Sequence, residues 1–298
     1  MDRLAAMRVF LTVAQQESFA EAARMLRLSP SVATRTVAAL EAELGVVLLN
    51  RTTRSVRLTE RGSIYAERCR QILEDVAGAD LAARGEAAEP SGRLHVAASV
   101  LFGRLHVLPI VEQVLTHHPG LSVRLVLSDR NVHLAEEGVD IAVRIGRLAD
   151  SSLKAVRFGE VSRVLVASPS YLATHGPPAT PAELAHRHVI AFEGLDFTDE
   201  WRFGAPGGLV RVEPRLLVNS AEAAVRAAED GHGITRALSY QVQAGLEAGR
   251  LALVLPDYAR DRLPVSAVYL PRRAASRNLE AFMTAARAYF RSHPIVAI

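Results

Sequence analysis

A single cysteine, Cys69, among 298 residues excludes an internal disulfide and any cysteine-based metal site. It falls on a helix expected after Thr59 and reads as a packed thiol. Lysine is equally scarce: Lys154 stands alone among arginines, and because Leu153 precedes it the Gly-Lys of a phosphate-binding loop is missing. No apolar run approaches the roughly 18 residues of a membrane span. Residues 1 to 20 carry Asp2, Arg3, Arg8 and Glu17 and lack the layout of a cleavable secretion signal. The expected location is the cytoplasm, with no membrane partner. Catalytic signatures are absent as well. There is no Gly-x-Ser-x-Gly elbow, and Gly231-His232-Gly233 has Arg236 where a dinucleotide fingerprint needs its third glycine. Neither His117-His118 nor His186-x-His188 has the i, i+4 spacing of a helical zinc pair. No catalytic residue, metal ligand or cofactor is therefore expected, and Lys154 as a Schiff-base former is the one enzymatic role left open.

What the chain does have is concentrated between residues 18 and 57. Ser18 followed by Glu21 is the spacing of a reciprocal capping box and predicts a helix start. Phe19, Ala22, Ala23 and Leu26 then recur on one helical face. Leu28 breaks that register, and Ser29-Pro30 supplies an N-cap with proline at the first helical position. The second helix has Ala33, Val37, Leu40 and Leu44 on its apolar side and Gly45 placed to end it. Its other face carries Ser31, Thr34, Arg35 and Ala38, small or hydrogen-bonding side chains that do not obstruct entry into a DNA groove.

An ordinary surface hairpin of helices would share part of this pattern. Three neighbouring features favour a DNA reader. Met7, Phe10, Leu11 and Ala14 form a matching upstream stripe, which predicts a three-helix core. The stretch from Asn50 to Leu58 alternates polar and β-branched residues like a two-stranded wing. Residues 1 to 58 also hold eight arginines against five acids, whereas the other 240 residues are balanced at 27 of each sign, so the basic excess lies where phosphates would be met.

Phe10 through Gly62 resembles the winged helix-turn-helix of LysR-type transcriptional regulators, nearly position by position; Thr34 and Leu49 replace a usual serine and phenylalanine. The resemblance implies a sequence-specific regulator bound to double-stranded DNA. Candidate contacts are Ser29, Ser31, Thr34 and Arg35 on the second helix, with Arg51, Thr52, Thr53 and Arg54 on the wing. Ser31, Thr34 and Arg35 are assigned to base edges and the wing to phosphates or the minor groove.

From Thr59 a long helical pattern with Ile64, Ala66, Cys69, Ile72, Leu73, Val76, Ala79 and Ala83 runs to a hinge at 85–92. A twin helix from a second subunit would cover it; a solvent-bridging helix between domains is the alternative. The resemblance implies a dimer-forming linker. The expected domains are thus 1–58 for DNA, 59–92 for linker and hinge, and 93–298 for regulation.

Beyond the hinge, strand and helix alternate as in an α/β fold. Strands are expected at 93–99, 121–128, 140–145, 161–168, 189–192, 201–203, 211–218 and 265–270, with helices at 102–117, 132–138, 181–186, 220–229 and 278–291. The pattern is similar to the two-lobed, periplasmic-binding-protein-like effector domain of the same family, with lobe I at about 93–163 and 266–298 and lobe II at about 164–265. Ala97 to Gly103 resembles its first ligand loop, and Ala237-Leu238-Ser239 replaces a usual leucine-proline pair in the ligand-reporting turn. Ligands of such sheets bind beyond the carboxyl ends of strands. That rule and the resemblance select Ser99, Val100, Phe102, Ser128, Arg144, Gly146, Arg147, Phe192, Ser220, Gly233 and Thr235, with Phe197 as a further apolar wall. Serines at helix starts with Arg144 and Arg147 suggest a small effector, an aromatic or other carboxylate. Each serine reads equally as a plain helix cap, and each arginine as an ion-pair partner of Asp140 or Asp150.

The whole reads as a mixed fold, an N-terminal all-α winged helix-turn-helix followed by an α/β effector domain. It is expected to form a homodimer or homotetramer and to act with RNA polymerase as a further partner. A cleft-based binding protein or enzyme with incidental DNA contact is the alternative.

Overall fold

The computed structural model describes residues 2–51, 56–83, 89–148, 152–194, 199–203, 207–258, 261–274 and 276–295. The chain divides into two compact units, Met1–Glu89 and Pro90–Ile298.

In the first unit, α1 (Arg3–Gln16) is capped by Asp2, whose carboxylate accepts from the N–H groups of Leu4 and Ala5. Ser18 caps α2 (Phe19–Met25) by accepting from the Glu21 N–H. Glu21 turns to Arg24 instead of reaching back, so only half of the expected capping box forms. Ser29 and Pro30 open α3 (Pro30–Leu44) and Gly45 closes it at φ +67°, the left-handed conformation that glycine adopts without a Cβ penalty. Phe10, Val13, Ala22, Ala23, Ala33, Val37 and Leu40 make a core sealed from solvent. The antiparallel pair β1 (Leu49–Arg51) and β2 (Val56–Leu58) follows, with Leu49 opposite Leu58.

Thr59 joins this wing to α4 (Glu60–Ala83). Its hydroxyl donates to the Val47 carbonyl at 2.9 Å and accepts from the Gly62 N–H at 2.9 Å. Gly62 is in turn pressed against the wing, where a Cβ would fall 1.9 Å from the Leu48 carbonyl oxygen. The first half of α4 therefore packs on its own domain, through Ala66 and Cys69. Ile64 and Ile72 remain outside, 57% and 39% exposed.

The second unit is built on a mixed sheet. Its strands are β3 (Gly92–Ala98), β4 (Leu121–Leu127), β5 (Ile141–Ile145), β6 (Lys154–Ala167), β7 (Val189–Phe192), β10 (Pro214–Val218), β11 (Ile234–Leu238), β12 (Ala252–Val254) and β13 (Arg262–Tyr269). A separate hairpin pairs β8 (Glu200–Arg202) with β9 (Leu209–Arg211). The order is β10-β7-β11-β6-β13-β5-β3-β4, with β12 also on β6. Strand β6 belongs to both halves. Its residues 154–162 pair with β13 and its residues 163–166 pair with β11, so β13 enters lobe I already at Arg262, ahead of residue 266.

Short α5 (Val100–Phe102) continues through a π-turn at Gly103–Val107 into α6 (Leu108–His117). These segments and α10 (Arg277–Ser292) cover one face of lobe I. Lobe II is covered by α7 (Pro169–His175), α8 (Ala221–Glu229) and α9 (Ser239–Glu247). Three differences from the sequence reading stand out. Where a helix was expected at 132–138, residues 134–138 form successive turns, because the Glu137 carboxylate takes the His133 N–H and Gly138 sits at φ +68°. Residues 181–186 are a 3-10 helix. The single strand expected at 211–218 is divided between β9 and β10. Helices α7 and α9 were not anticipated.

Two outcomes test this packing. Gly62→Ala is expected to destabilise the first unit by about 2–4 kcal/mol, read as a lower urea midpoint for its helical signal; an unchanged midpoint would contradict the close approach. Burial pushes the Cys69 thiol up to about 11, leaving roughly one thiolate in a thousand at pH 8. Iodoacetamide at that pH should then label the unfolded chain quickly and the native chain hardly at all.

Candidate functional site

Two sets of side chains are candidates, one in each unit. On α3, Ser31, Thr34, Arg35 and Ala38 are exposed along one face, while Ala33, Val37 and Leu40 hold the opposite face in the core. Ser29 spends its hydroxyl on the Val32 N–H and meets the Ser31 hydroxyl at 3.0 Å. Thr34 donates to the Pro30 carbonyl at 2.9 Å, which leaves its oxygen as an acceptor and its methyl free. Arg35 has no ion-pair partner among the described residues. Its five fixed donors match the two acceptors of a guanine edge.

The wing is organised by a residue that the sequence reading counted only as a charge. One oxygen of Glu41 accepts from the backbone N–H groups of Leu48 and Leu49, at 2.8 and 3.1 Å. The other takes Arg51 at 2.6 Å. Arg51 also lies over the Phe19 ring, 4.9 Å from its centre, within cation–π range. Arg51 is thus a fastening of the wing to α2 and α3. Thr52, Thr53 and Arg54 lie outside the described residues.

In the second unit, the carboxyl ends of β3 and β4 bring Ser99, Val100, Phe102 and Ser128 together, as the strand-end rule expects. The Ser99 hydroxyl is shielded from water and lies against the Tyr240 phenol. Phe102 is fully buried and meets the Tyr240 ring edge-on, with centres 5.2 Å apart. Tyr240 comes from α9 of lobe II, so this contact spans the two lobes. Burial first, and the nearby Asp129 charge second among the raising causes, push its phenol up to about 12, keeping it protonated at neutral pH. A second bridge across the lobes joins Arg104, in the π-turn, to Glu222 of α8 at 2.9 Å.

The position expected to take an anion is already filled. Asp129 places Oδ1 3.0 Å from the Val100 N–H, the donor that a ligand carboxylate would have used. Asp129, Tyr240, Arg104 and Glu222 were all missed from sequence. The signal for two of them was present: Asp129 is the next residue after Ser128, and Tyr240 stands two residues beyond the end of β11.

Other selected residues go elsewhere. Ser128 accepts from the Arg130 N–H as a turn former, and Ser220 accepts from the Ala223 N–H as the cap of α8. Thr235 is fully buried and donates to the Ile190 carbonyl of the neighbouring strand. Gly233 lies where a Cβ would fall 2.4 Å from the His188 carbonyl oxygen, a requirement of packing. Phe192 packs at the edge of a lobe II core. Arg144 donates to the Val132 carbonyl, Gly146 donates to the Pro264 carbonyl, and Arg147 is exposed. Neither arginine pairs with Asp140, whose carboxylate meets the buried Arg273 at 2.8 Å and the His95 N–H at 2.9 Å. Asp150 and Phe197 lie outside the described residues. No group of three or more metal-ligating side chains occurs among the described residues, and no described helix is long and apolar enough to cross a membrane.

Known proteins match both units. Residues 4–63 fit the family model described as bacterial regulatory helix-turn-helix protein, lysR family, and residues 87–291 fit the LysR substrate binding domain. The transcriptional activator AaeR of Escherichia coli K12 is 34% identical over 97% of this chain and 94% of its own length. The repressor PA14_22550 of Pseudomonas aeruginosa is 32% identical over 100% and 95%. The structure of CrgA from Neisseria meningitidis, a LysR-type transcriptional regulator, superposes with a TM-score of 0.61 at 31% identity, covering 96% of this chain and 98% of that one. The chain belongs to the LysR family of transcriptional regulators, pairing a DNA-binding helix-turn-helix domain with an effector-binding domain, and is not an enzyme.

Proposed function

We propose that α3 enters the major groove and reads base edges with Ser31, Thr34 and Arg35, while Ser29 fixes the start of the helix and the wing residues Arg51, Thr52, Thr53 and Arg54 lie along phosphates or the adjacent minor groove. The observation that carries this reading is the exposed face at the capped start of α3, where Arg35 projects without an ion-pair partner among the described residues. Arg51 contributes there as the wing's fastening to Glu41. The exposed Ile64 and Ile72 of α4 form the surface that a second subunit covers, giving a homodimer or homotetramer with two reading helices spaced for adjacent half-sites.

A small molecule held between Ser99, Val100, Phe102 and Tyr240 shifts the lobes and thereby promoter binding or DNA bending. The setting is the cytoplasm, with RNA polymerase as the further partner. Relatives include both an activator and a repressor, and the domain boundaries that suit this reading are 1–58, 59–92 and 93–298.

The test is fluorescence anisotropy on the chain's own upstream intergenic DNA and on a scrambled duplex, across a salt series. Strong preference for the native sequence with a steep salt slope is expected. Arg35→Ala should remove about 1–3 kcal/mol of that preference and leave binding to scrambled DNA nearly unchanged. Equal losses on both duplexes would refute base reading by Arg35.

A further inference from the structure

We propose that Asp129 sets the ligand chemistry of the cleft, so that the effector presents a protonated amine there in place of a carboxylate. The inference rests on the effector cleft assigned above. One Asp129 oxygen is held by the Val100 N–H at 3.0 Å, and the carboxylate has no ion-pair partner among the described residues. It is half-buried. Arg130 and Arg104 pair with other acids, Glu137 at 3.2 Å and Glu222 at 2.9 Å, and Arg144 turns to the Val132 carbonyl.

Asp129 therefore stands at this end of β4 as a carboxylate that no described cation pairs with. A ligand carboxylate brought to Val100 would displace Asp129 or meet its charge at close range, and both are unfavourable in a partly dry site. An ammonium would instead complete the pair through a charge-assisted hydrogen bond. The neutral Tyr240 phenol offers a further oxygen acceptor from the facing lobe. The half-buried Tyr240 ring supplies the apolar surface, backed by the fully buried Phe102, and aromatic faces tolerate a neighbouring cation.

Matched probes separate the alternatives. Benzylamine and benzoate carry opposite charge beside the same ring, and each is titrated by calorimetry into the full chain at constant ionic strength. Benzylamine is expected to bind the wild-type protein more tightly than benzoate. In Asp129→Asn, whose side-chain oxygen can still accept from Val100, benzylamine should weaken about tenfold, the scale of one charge-assisted hydrogen bond. Tighter benzoate binding, failure of benzylamine to bind, or an unchanged benzylamine affinity in Asp129→Asn would overturn the proposal. DNA binding without probe is measured on the same samples, so that loss of sequence preference there counts against the regulatory reading and leaves the probe result to speak for Asp129.

Discussion

The second unit depends on one strand serving both halves of its sheet. Over its fourteen residues, β6 pairs with β13 as far as Ser162 and with β11 from Arg163 onward. Buried backbone groups must find partners, and the changeover is where a strand would otherwise strand one. There the Ser162 N–H is taken by the Ser239 hydroxyl at 3.1 Å. Ser239 opens α9, and the next residue is Tyr240, the lobe II ring that rests on Phe102. The same hydrogen bond that lets β6 change neighbours therefore positions the facing wall of the cleft.

The first unit has a comparable economy at Glu41. By holding two wing N–H groups and Arg51 together, one carboxylate on the inner side of α3 makes helix and wing a single body. Half-buried networks of this kind are stronger than exposed pairs because little water competes for them. A helix that reads bases needs such rigidity, since a hydrogen-bond pattern on a groove edge is recognised only by donors held at fixed spacing.

How much of this is legible in the sequence depends on range. Caps and breakers act within a few residues, which is why Ser18, Ser29-Pro30 and Gly45 announce the second and third helices. Periodicity likewise marks β3, β4, β7 and α10. The role of Glu41 depends on a wing several residues downstream and leaves no local trace, and that of Tyr240 depends on a ring in the other lobe, so its place just after β11 marks the position without the contact. Residues 132–138 have enough apolar character for a helix, yet one carboxylate and one glycine turn them aside. Thr235 shows the opposite error. Read as the end of a glycine-rich turn, it was given to the ligand, whereas it lies in β11 and its hydroxyl donates to a buried neighbouring carbonyl.

The ion pair of Arg104 with Glu222 crosses the lobes from side chains that are 54% and 62% exposed. Pairs so open to water contribute about 0–1 kcal/mol, far less than the continuous backbone ladder along β6 and β13 on the other side of the unit. The lobes are fastened unequally, by a stiff spine on one side and a light catch on the other. A body held in that way opens by swinging about its spine, and a ligand between the lobes works against the catch and the aromatic contacts of Tyr240.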